Sequence, residues 1–227
     1  MSERWPADTA ALTWRPLTLA DTEAMYALHL LSIAGMPAQA VKPESIDFLR
    51  GILAGRGTVV GAWDGSALVA YGVLQHDLKP EDARLASGLQ VPGSAASLYK
   101  LAGAAVHPAW RGLGLQKAVI VQRMQRAPAQ SVLFATASPM NVASWYNLSA
   151  CGFVVRDVQY LYGGHARYVM AYVQDDPWRG SSTQAVTLTP AELDEQHKLL
   201  QQGWRGIARG PEAGSLRLVP AHGVVGL

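Results

Sequence analysis

Apolar residues recur along the chain with two periods, which together predict a mixed α/β fold. Apolar positions spaced three or four residues apart predict helices, and short apolar runs bounded by turn residues predict strands. The first predicted helix begins near Thr18. The other predicted helices span 43–53, 115–127, 142–151 and 189–202. The predicted strands span 12–17, 58–63, 67–74, 97–106, 132–135, 153–162, 166–173 and 216–219.

Turn and capping signals place several boundaries. Asp64 and Gly65 separate two apolar runs and predict a tight β-hairpin. Thr18 and Asp21 have the spacing of a capping box at the start of the first helix. Residues 77–96 are polar and are interrupted by proline and glycine, so we predict a long loop there.

Composition limits the class of protein. Of the 227 residues, 49% are hydrophobic and 16% are charged, and the formal net charge is +2. A chain of this composition can bury a sizeable core. The near-neutral charge and the absence of a basic stripe argue against a nucleic-acid-binding protein.

Cysteine, histidine and targeting patterns add three expectations. The single cysteine, Cys151, cannot form an internal disulfide, which favours a reducing compartment. The histidines have no close ligand spacing, so we expect no metal site. The first fourteen residues contain charges and proline instead of a secretory apolar core. The uncharged stretch 127–155 contains prolines and asparagines, which indicate soluble structure and not a membrane span. We therefore expect a cytoplasmic protein without membrane contact.

The segment 106–115 carries the most chemical information. It reads Val-His-Pro-Ala-Trp-Arg-Gly-Leu-Gly-Leu, so a strand runs through a glycine turn into a helix. Glycines let the backbone approach a phosphate, and the amides at a helix start attract anions. Arg111 adds positive charge. The pattern indicates a phosphate-binding turn, although it is neither a P-loop nor a dinucleotide fingerprint. A glycine turn without a ligand is the alternative.

A second stretch, 141–153, predicts a capped helix that ends at Gly152. It reads Asn-Val-Ala-Ser-Trp-Tyr-Asn-Leu-Ser-Ala-Cys-Gly-Phe. By residue type alone, Asn141 is an N-cap and Tyr146 is a packing residue. Cys151 falls on the last helical turn, and we interpret it as a packing residue and not a nucleophile.

In order and spacing, these two stretches resemble the GNAT superfamily of acyl-CoA-dependent N-acyltransferases. The first is similar to the family's pyrophosphate loop, V-x-P-x-x-[RQ]-G-x-G, and the second to its later N-x-x-[AS] helix with a tyrosine. The predicted order of elements over 12–173 also fits. The resemblance implies a central mixed, mostly antiparallel sheet flanked by helices. We expect this domain to cover 1–173, followed by an accessory extension at 174–227.

The resemblance also implies an enzyme that transfers the acetyl group of acetyl-CoA directly to a primary amine of a small molecule or peptide. Backbone amides of the turn would bind the CoA pyrophosphate. These amides belong to Arg111, Gly112, Leu113, Gly114, Leu115 and Gln116. Relatives have a small residue where this chain has Gln116, so that side chain must turn outward.

The remaining roles implied by the resemblance fall on two elements. Ala104 and Val106, at the end of the fourth strand, would pair with the pantetheine arm. Asn141 and Ser144 would lie near the pantetheine or the adenylate. Tyr146 would protonate the departing CoA thiolate, and a backbone amide near Val106 would polarise the acetyl carbonyl.

The general base stays open at the level of sequence. Many relatives carry a glutamate on the fourth strand, whereas 97–106 contains no acid. The candidates lie after the third strand, in the long loop and at the end of the fourth strand: His76, Asp77, Glu81, Asp82 and His107. A non-enzymatic acyl-CoA sensor on the same fold is the alternative function.

The tail has its own signals. Residues 175–183 have linker composition, and Thr189, Pro190 and Glu192 form a complete capping box. A helix of about 13 residues is marginal alone in water, so its leucines must be buried against other structure. We expect the tail to pack onto folded protein, to shape the acceptor pocket together with loop 77–96, and to favour a homodimer.

Overall fold

The computed structural model describes residues 9–87, 89, 97–173 and 184–220. The chain forms two compact units, each assembled from separate stretches of sequence. The first unit contains strands β1–β4 with helices α1, α2 and α4, and the second contains β5–β10 with α3, α5 and α6.

The strands of the first unit form an antiparallel ladder in chain order. Their bounds are Thr13–Pro16 (β1), Gly57–Asp64 (β2), Ala67–Gln75 (β3) and Leu98–Val106 (β4). Each strand pairs with the next. Asp64 pairs with Ala67, and Gly65 has the positive φ of 55° that a two-residue turn requires. The predicted hairpin is therefore confirmed.

The helices of the first unit are Thr22–Ile33 (α1), Ile46–Gly51 (α2) and Leu115–Met124 (α4). The capping box at Thr18 is present and closes a 3₁₀ turn ahead of α1. Helix α2 begins three residues later than predicted, because the Ser45 side chain accepts from the amide of Phe48 and caps it there.

Two apolar clusters hold the first unit together. One joins α1 and α2 to the sheet through residues that include Met25, Leu49 and Tyr71. The other lies under α4 and contains Trp110 and Val119. These side chains are almost completely buried, so the elements that flank the end of β4 rest on a packed core.

The second unit has an antiparallel ladder in the order β5-β7-β6-β9-β10-β8. The strand bounds are Val132–Ala137 (β5), Val154–Leu161 (β6), His165–Val173 (β7), Val186–Leu188 (β8), Trp204–Arg209 (β9) and Leu216–Pro220 (β10). Its helices are Pro80–Ser87 (α3), Val142–Ala150 (α5) and Leu193–Gln201 (α6).

Three elements correct the sequence prediction. Helix α3 occupies part of the predicted long loop, because a proline at the first helical position and two acids in the first turn stabilise a helix start. Strands β8 and β9 lie in segments without a predicted strand. Strand β10 is present as predicted.

Residues 184–220 are built into the second unit. Gly206 of β9 pairs with Val155 of β6, and the buried Gln196 of α6 accepts a hydrogen bond of 2.8 Å from the Tyr168 hydroxyl of β7. This part of the tail therefore packs onto folded protein of the same chain, as expected. The predicted linker 175–183 lies outside the described residues, and the domain boundary proposed there stays a prediction.

Candidate active site

The turn between β4 and α4 is a fixed structure. The His107 ring caps a 3₁₀ turn at Pro108–Trp110, where its Nδ1 accepts from the amide of Ala109 at 3.2 Å. The indole of Trp110 is completely buried beneath this turn, in one cluster with Leu115. Packing below the turn thus positions the backbone above it.

The two glycines of the turn have conformations that other residues rarely adopt. Gly112 has a φ of 81° and Gly114 a φ of 76°, both in the left-handed region. Among the described residues other than the two chain neighbours of each glycine, no heavy atom lies within 4 Å of a Cβ atom built on either one. The turn therefore presents bare backbone to open space, which is the surface that a phosphate group needs.

Amides at the start of α4 complete the anion-binding character. The first amides of a helix have no acceptor within the helix, and Gly114 is the N-cap of α4. The amide of Arg111 instead donates to the Pro108 carbonyl at 3.2 Å and is already used.

The Arg111 side chain is also engaged. Its Nη2 donates to the carbonyl oxygen of Ser32, in the last turn of α1, at 2.6 Å. This bond ties the turn to α1, while the guanidinium still adds positive charge beside the turn. Lys117, in the first turn of α4, is exposed, and Gln116 is half-buried.

Strand β4 contains a bulge before its last three residues. Gly72 of β3 pairs with Ala104, but Leu74 pairs with Leu101, so β4 has one extra residue in this interval. The His107 amide donates to Val69 of β3 at 2.8 Å. Because backbone groups alternate along a strand, the amides and carbonyls of Ala104 and Val106 point to the edge of β4 opposite β3.

The candidate bases predicted in the first unit have local structural contacts. Asp77 Oδ2 accepts from Arg56 Nε at 3.0 Å, and His76 Nε2 lies 3.1 Å from the Gly55 carbonyl oxygen. His107 is the cap described above. Glu81 and Asp82 belong to α3 in the second unit, where Glu81 is exposed and Asp82 is buried.

The structure brings to β4 one acid that sequence reasoning missed. The Cγ of Glu44 lies 3.8 Å from the position that a Cβ on Gly103 would occupy. Glu44 lies between α1 and α2. The available sequence signal was a glycine inside a strand, which marks a point where another group approaches the backbone.

In the second unit, Asn141 and Ser144 meet at the start of α5. The Asn141 side chain accepts from the Ser144 amide at 3.3 Å, so the asparagine is an N-cap. Cys151 is the C-cap of the same helix and is half-buried, in agreement with the packing interpretation.

Tyr146 lies on α5 between an aromatic ring and a cation. Its ring packs edge-on against the buried Trp145, with ring centroids 4.1 Å apart. The guanidinium carbon of Arg209 lies 5.7 Å from the centroid of the Tyr146 ring. Arg209 ends β9, so the tail supplies a positive charge beside the predicted proton donor.

Two searches of the described residues gave no sites. Within residues 9–87, 89, 97–173 and 184–220, no group of three or more histidine, cysteine, aspartate or glutamate side chains is placed to hold a metal ion. Across the same residues, no helix combines the length and hydropathy that crossing a bilayer requires.

Comparisons with known proteins bear on the fold of the chain. No protein-family model matches the sequence, and no curated protein matches it at a significant level. Among solved structures, the YncA putative acetyltransferase of Salmonella typhimurium, with its cofactor acetyl-CoA, is 17% identical with a TM-score of 0.54; the match covers 75% of this chain and 98% of YncA.

Two further structures match over similar lengths. A GNAT-superfamily phosphinothricin acetyltransferase of Sinorhizobium meliloti, in complex with acetyl-CoA, is 18% identical with a TM-score of 0.52, over 76% of this chain and 96% of that one. NAA60 of Arabidopsis thaliana, in complex with acetyl-CoA, is 14% identical with a TM-score of 0.55, over 73% and 99%. The chain therefore has the mixed α/β, mostly antiparallel fold of the GNAT acetyltransferases, which confirms the fold that the sequence motifs predicted.

Proposed function

We propose that this protein is an N-acetyltransferase that uses acetyl-CoA to acetylate a primary amine. The observation that carries the proposal is the β4–α4 turn, in which Gly112 and Gly114 open bare backbone onto free space. On this fold, solved neighbours of the chain hold acetyl-CoA. The substrate would supply an acetyl group activated as a thioester.

The residues present fit such a substrate. The amides from Gly112 to Gln116 and the positive end of α4 suit a pyrophosphate. The backbone groups of Ala104 and Val106 point to one edge of β4 and suit a strand-like pantetheine amide chain. The amide near Val106 would then stabilise negative charge on the acetyl oxygen.

The roles on α5 follow from the resemblance. Asn141 and Ser144 would contact the pantetheine or the adenylate. Tyr146 would hold the proton that the thiolate takes up. We also propose that the acceptor is a small-molecule or peptide amine, and that the protein is a cytoplasmic homodimer.

The test combines binding with turnover. Calorimetry measures acetyl-CoA affinity, and a thiol reagent measures CoA release with a panel of primary amines that includes spermidine, phenethylamine and an alanyl peptide. Amine-dependent thiol release supports the proposal. Binding without release would support the acyl-CoA sensor, and absence of binding would refute both.

A further inference from the structure

The acid that β4 lacks is supplied from outside the strand. Residues 98–106 contain no aspartate or glutamate. At the bulge, the side-chain space of Gly103 is approached by Glu44, whose Cγ lies 3.8 Å from the ideal Cβ position. Ala104 and Ala105 follow Gly103 and lead to Val106, whose backbone amide we assign to the thioester end of acetyl-CoA.

The backbone of Glu44 is anchored to α1. Its amide donates to Nε2 of His29 at 2.9 Å. His29 is buried, and that burial lowers its pKa, which favours the neutral ring that can accept this bond. A buried, neutral histidine therefore fixes the point from which the Glu44 side chain reaches β4.

The side chains around Glu44 include a lysine and a tyrosine. Lys42 Nζ lies 3.7 Å from Glu44 Oε2, and the Glu44 side chain keeps only 18% of its exposure. On β3, burial raises the pKa of Tyr71, and the negative charge of Glu44 raises it further. Tyr71 pairs with Ala105 and is completely buried. The Glu44 side chain is thus largely shielded from bulk solvent, close to β3 and β4.

We propose that Glu44 is the general base that removes a proton from the acceptor amine. The inference rests on the proposed acetyl transfer and assigns to Glu44 a role for which β4 itself offers no carboxylate. An ion pair with a half-exposed lysine contributes little to stability, so pairing with Lys42 does not by itself account for this position.

The proton and electron balance is simple. The acceptor arrives as an ammonium ion, and Glu44 takes one proton from it and later releases that proton to solvent. The nitrogen lone pair forms the N–C bond to the acetyl carbon as the C–S bond breaks. The sulfur keeps the bonding electron pair and takes up a proton from Tyr146. Tyr146 is restored by the second proton that the nitrogen loses.

The test compares Glu44→Gln with a matched control, Asp47→Asn. Asp47 is an acid three residues further along, in the first turn of α2, but its side chain is 83% exposed and pairs with Arg50. With the most active amine of the panel, Glu44→Gln should lower kcat roughly 10²-fold and leave the calorimetric affinity for acetyl-CoA within about twofold. Asp47→Asn should match the wild type in both.

A pH profile separates a base from a structural residue. Without a base, the rate depends on amine that is already neutral in solution, so the Glu44→Gln rate should rise about tenfold per pH unit toward that of the wild type. Among the described residues, the titratable groups that interact with Glu44 are Lys42 of the same segment, Tyr71 of β3 and His29 of α1. Lys42→Gln should keep the wild-type pH profile, which would exclude the Lys42 ammonium group as the origin of that profile.

A third measurement does not depend on turnover. With CoA present, the amine should raise the melting temperature of the wild type more than that of Glu44→Gln, because the carboxylate attracts the ammonium ion. If a folded Glu44→Gln variant has the same kcat, the same amine-induced rise in melting temperature or the same shape of pH profile as the wild type, the assignment of Glu44 alone is overturned. No thiol release by the wild type with any amine would overturn acetyl transfer itself, and the assignment of Glu44 with it.

Discussion

Replacing Gly114 with glutamate is the most direct test of the phosphate-binding turn. Gly114 is the N-cap of α4, and within the part of the chain that the structure describes, no heavy atom beyond its chain neighbours lies within 4 Å of its Cβ position. A glutamate there meets no protein atom at its Cβ. It does place a carboxylate where we assign the pyrophosphate, so its main effect should fall on binding.

The expected magnitude has a conformational part and an electrostatic part. The left-handed φ of 76° costs a non-glycine residue about 1–2 kcal/mol of folding free energy. A carboxylate about 5 Å from one phosphate charge is repelled by about 0.8 kcal/mol in bulk water and by about 3 kcal/mol at an effective dielectric constant near 20. The affinity for acetyl-CoA should therefore fall at least tenfold, which corresponds to about 1.4 kcal/mol.

Gly65→Glu is the matched control. Gly65 also has a left-handed φ, of 55°, and open space at its Cβ position, but it lies in the β2–β3 hairpin. Both variants should lose stability in thermal melts, and only Gly114→Glu should lose acetyl-CoA affinity by calorimetry. Unchanged affinity in a folded Gly114→Glu protein, or an equal loss in Gly65→Glu, would refute the pyrophosphate assignment.

Four other changes test separate parts of the molecule. Tyr146→Phe should lower kcat roughly 10²-fold with little change in KM, and an unchanged kcat at saturating acetyl-CoA would return Tyr146 to a packing role. Hydrogen bonds from Arg15 and Thr18 hold the pKa of Asp21 at about 2, so its carboxylate stabilises the fold above pH ~4 and loses that effect as the pH falls toward 2. Urea unfolding should therefore show Asp21→Asn about 1–2 kcal/mol less stable than the wild type at pH 7, with a smaller gap at pH 3, and a gap that is independent of pH would contradict this. Gln196→Leu should destabilise the protein by about 1–3 kcal/mol, because it leaves the buried Tyr168 hydroxyl unpaired, and the double variant with Tyr168→Phe should recover part of that loss. Removal of 175–227 should lower the melting temperature or change the oligomeric state in sedimentation.

Elements that depend on neighbouring residues could be predicted from the sequence. The hairpin at Asp64-Gly65 and the capping boxes at Thr18 and Thr189 each need only residues within a few positions, and all three are present. The glycine turn is of the same kind, because the conformations of Gly112 and Gly114 are set by the residue type and the helix that follows.

Elements that depend on distant packing could not be predicted in this way. Helix α3 has no continuous apolar stripe, so its polar composition favoured a loop, although it buries Asp82 and Ala86. Strand β9 contains Gly206, which favoured an irregular segment. A Cβ there would lie 2.9 Å from the Val155 side chain, so the glycine permits β9 to approach β6 closely.

The candidate site shows the same division between local and distant signals. A search for the general base along 97–106 could not succeed, because the acid at that strand comes from the segment between two helices and is held there by His29. Gly103 still limits the choice, since a strand glycine marks a close approach by another group. Of the two acids near the start of α2, Asp47 lies within the helix and pairs with Arg50, whereas Glu44 precedes the Ser45 cap and is free to turn toward the sheet. Gln in place of Glu44 would keep the shape of that contact and remove only its charge, so the fold and the chemistry at this position can be tested independently.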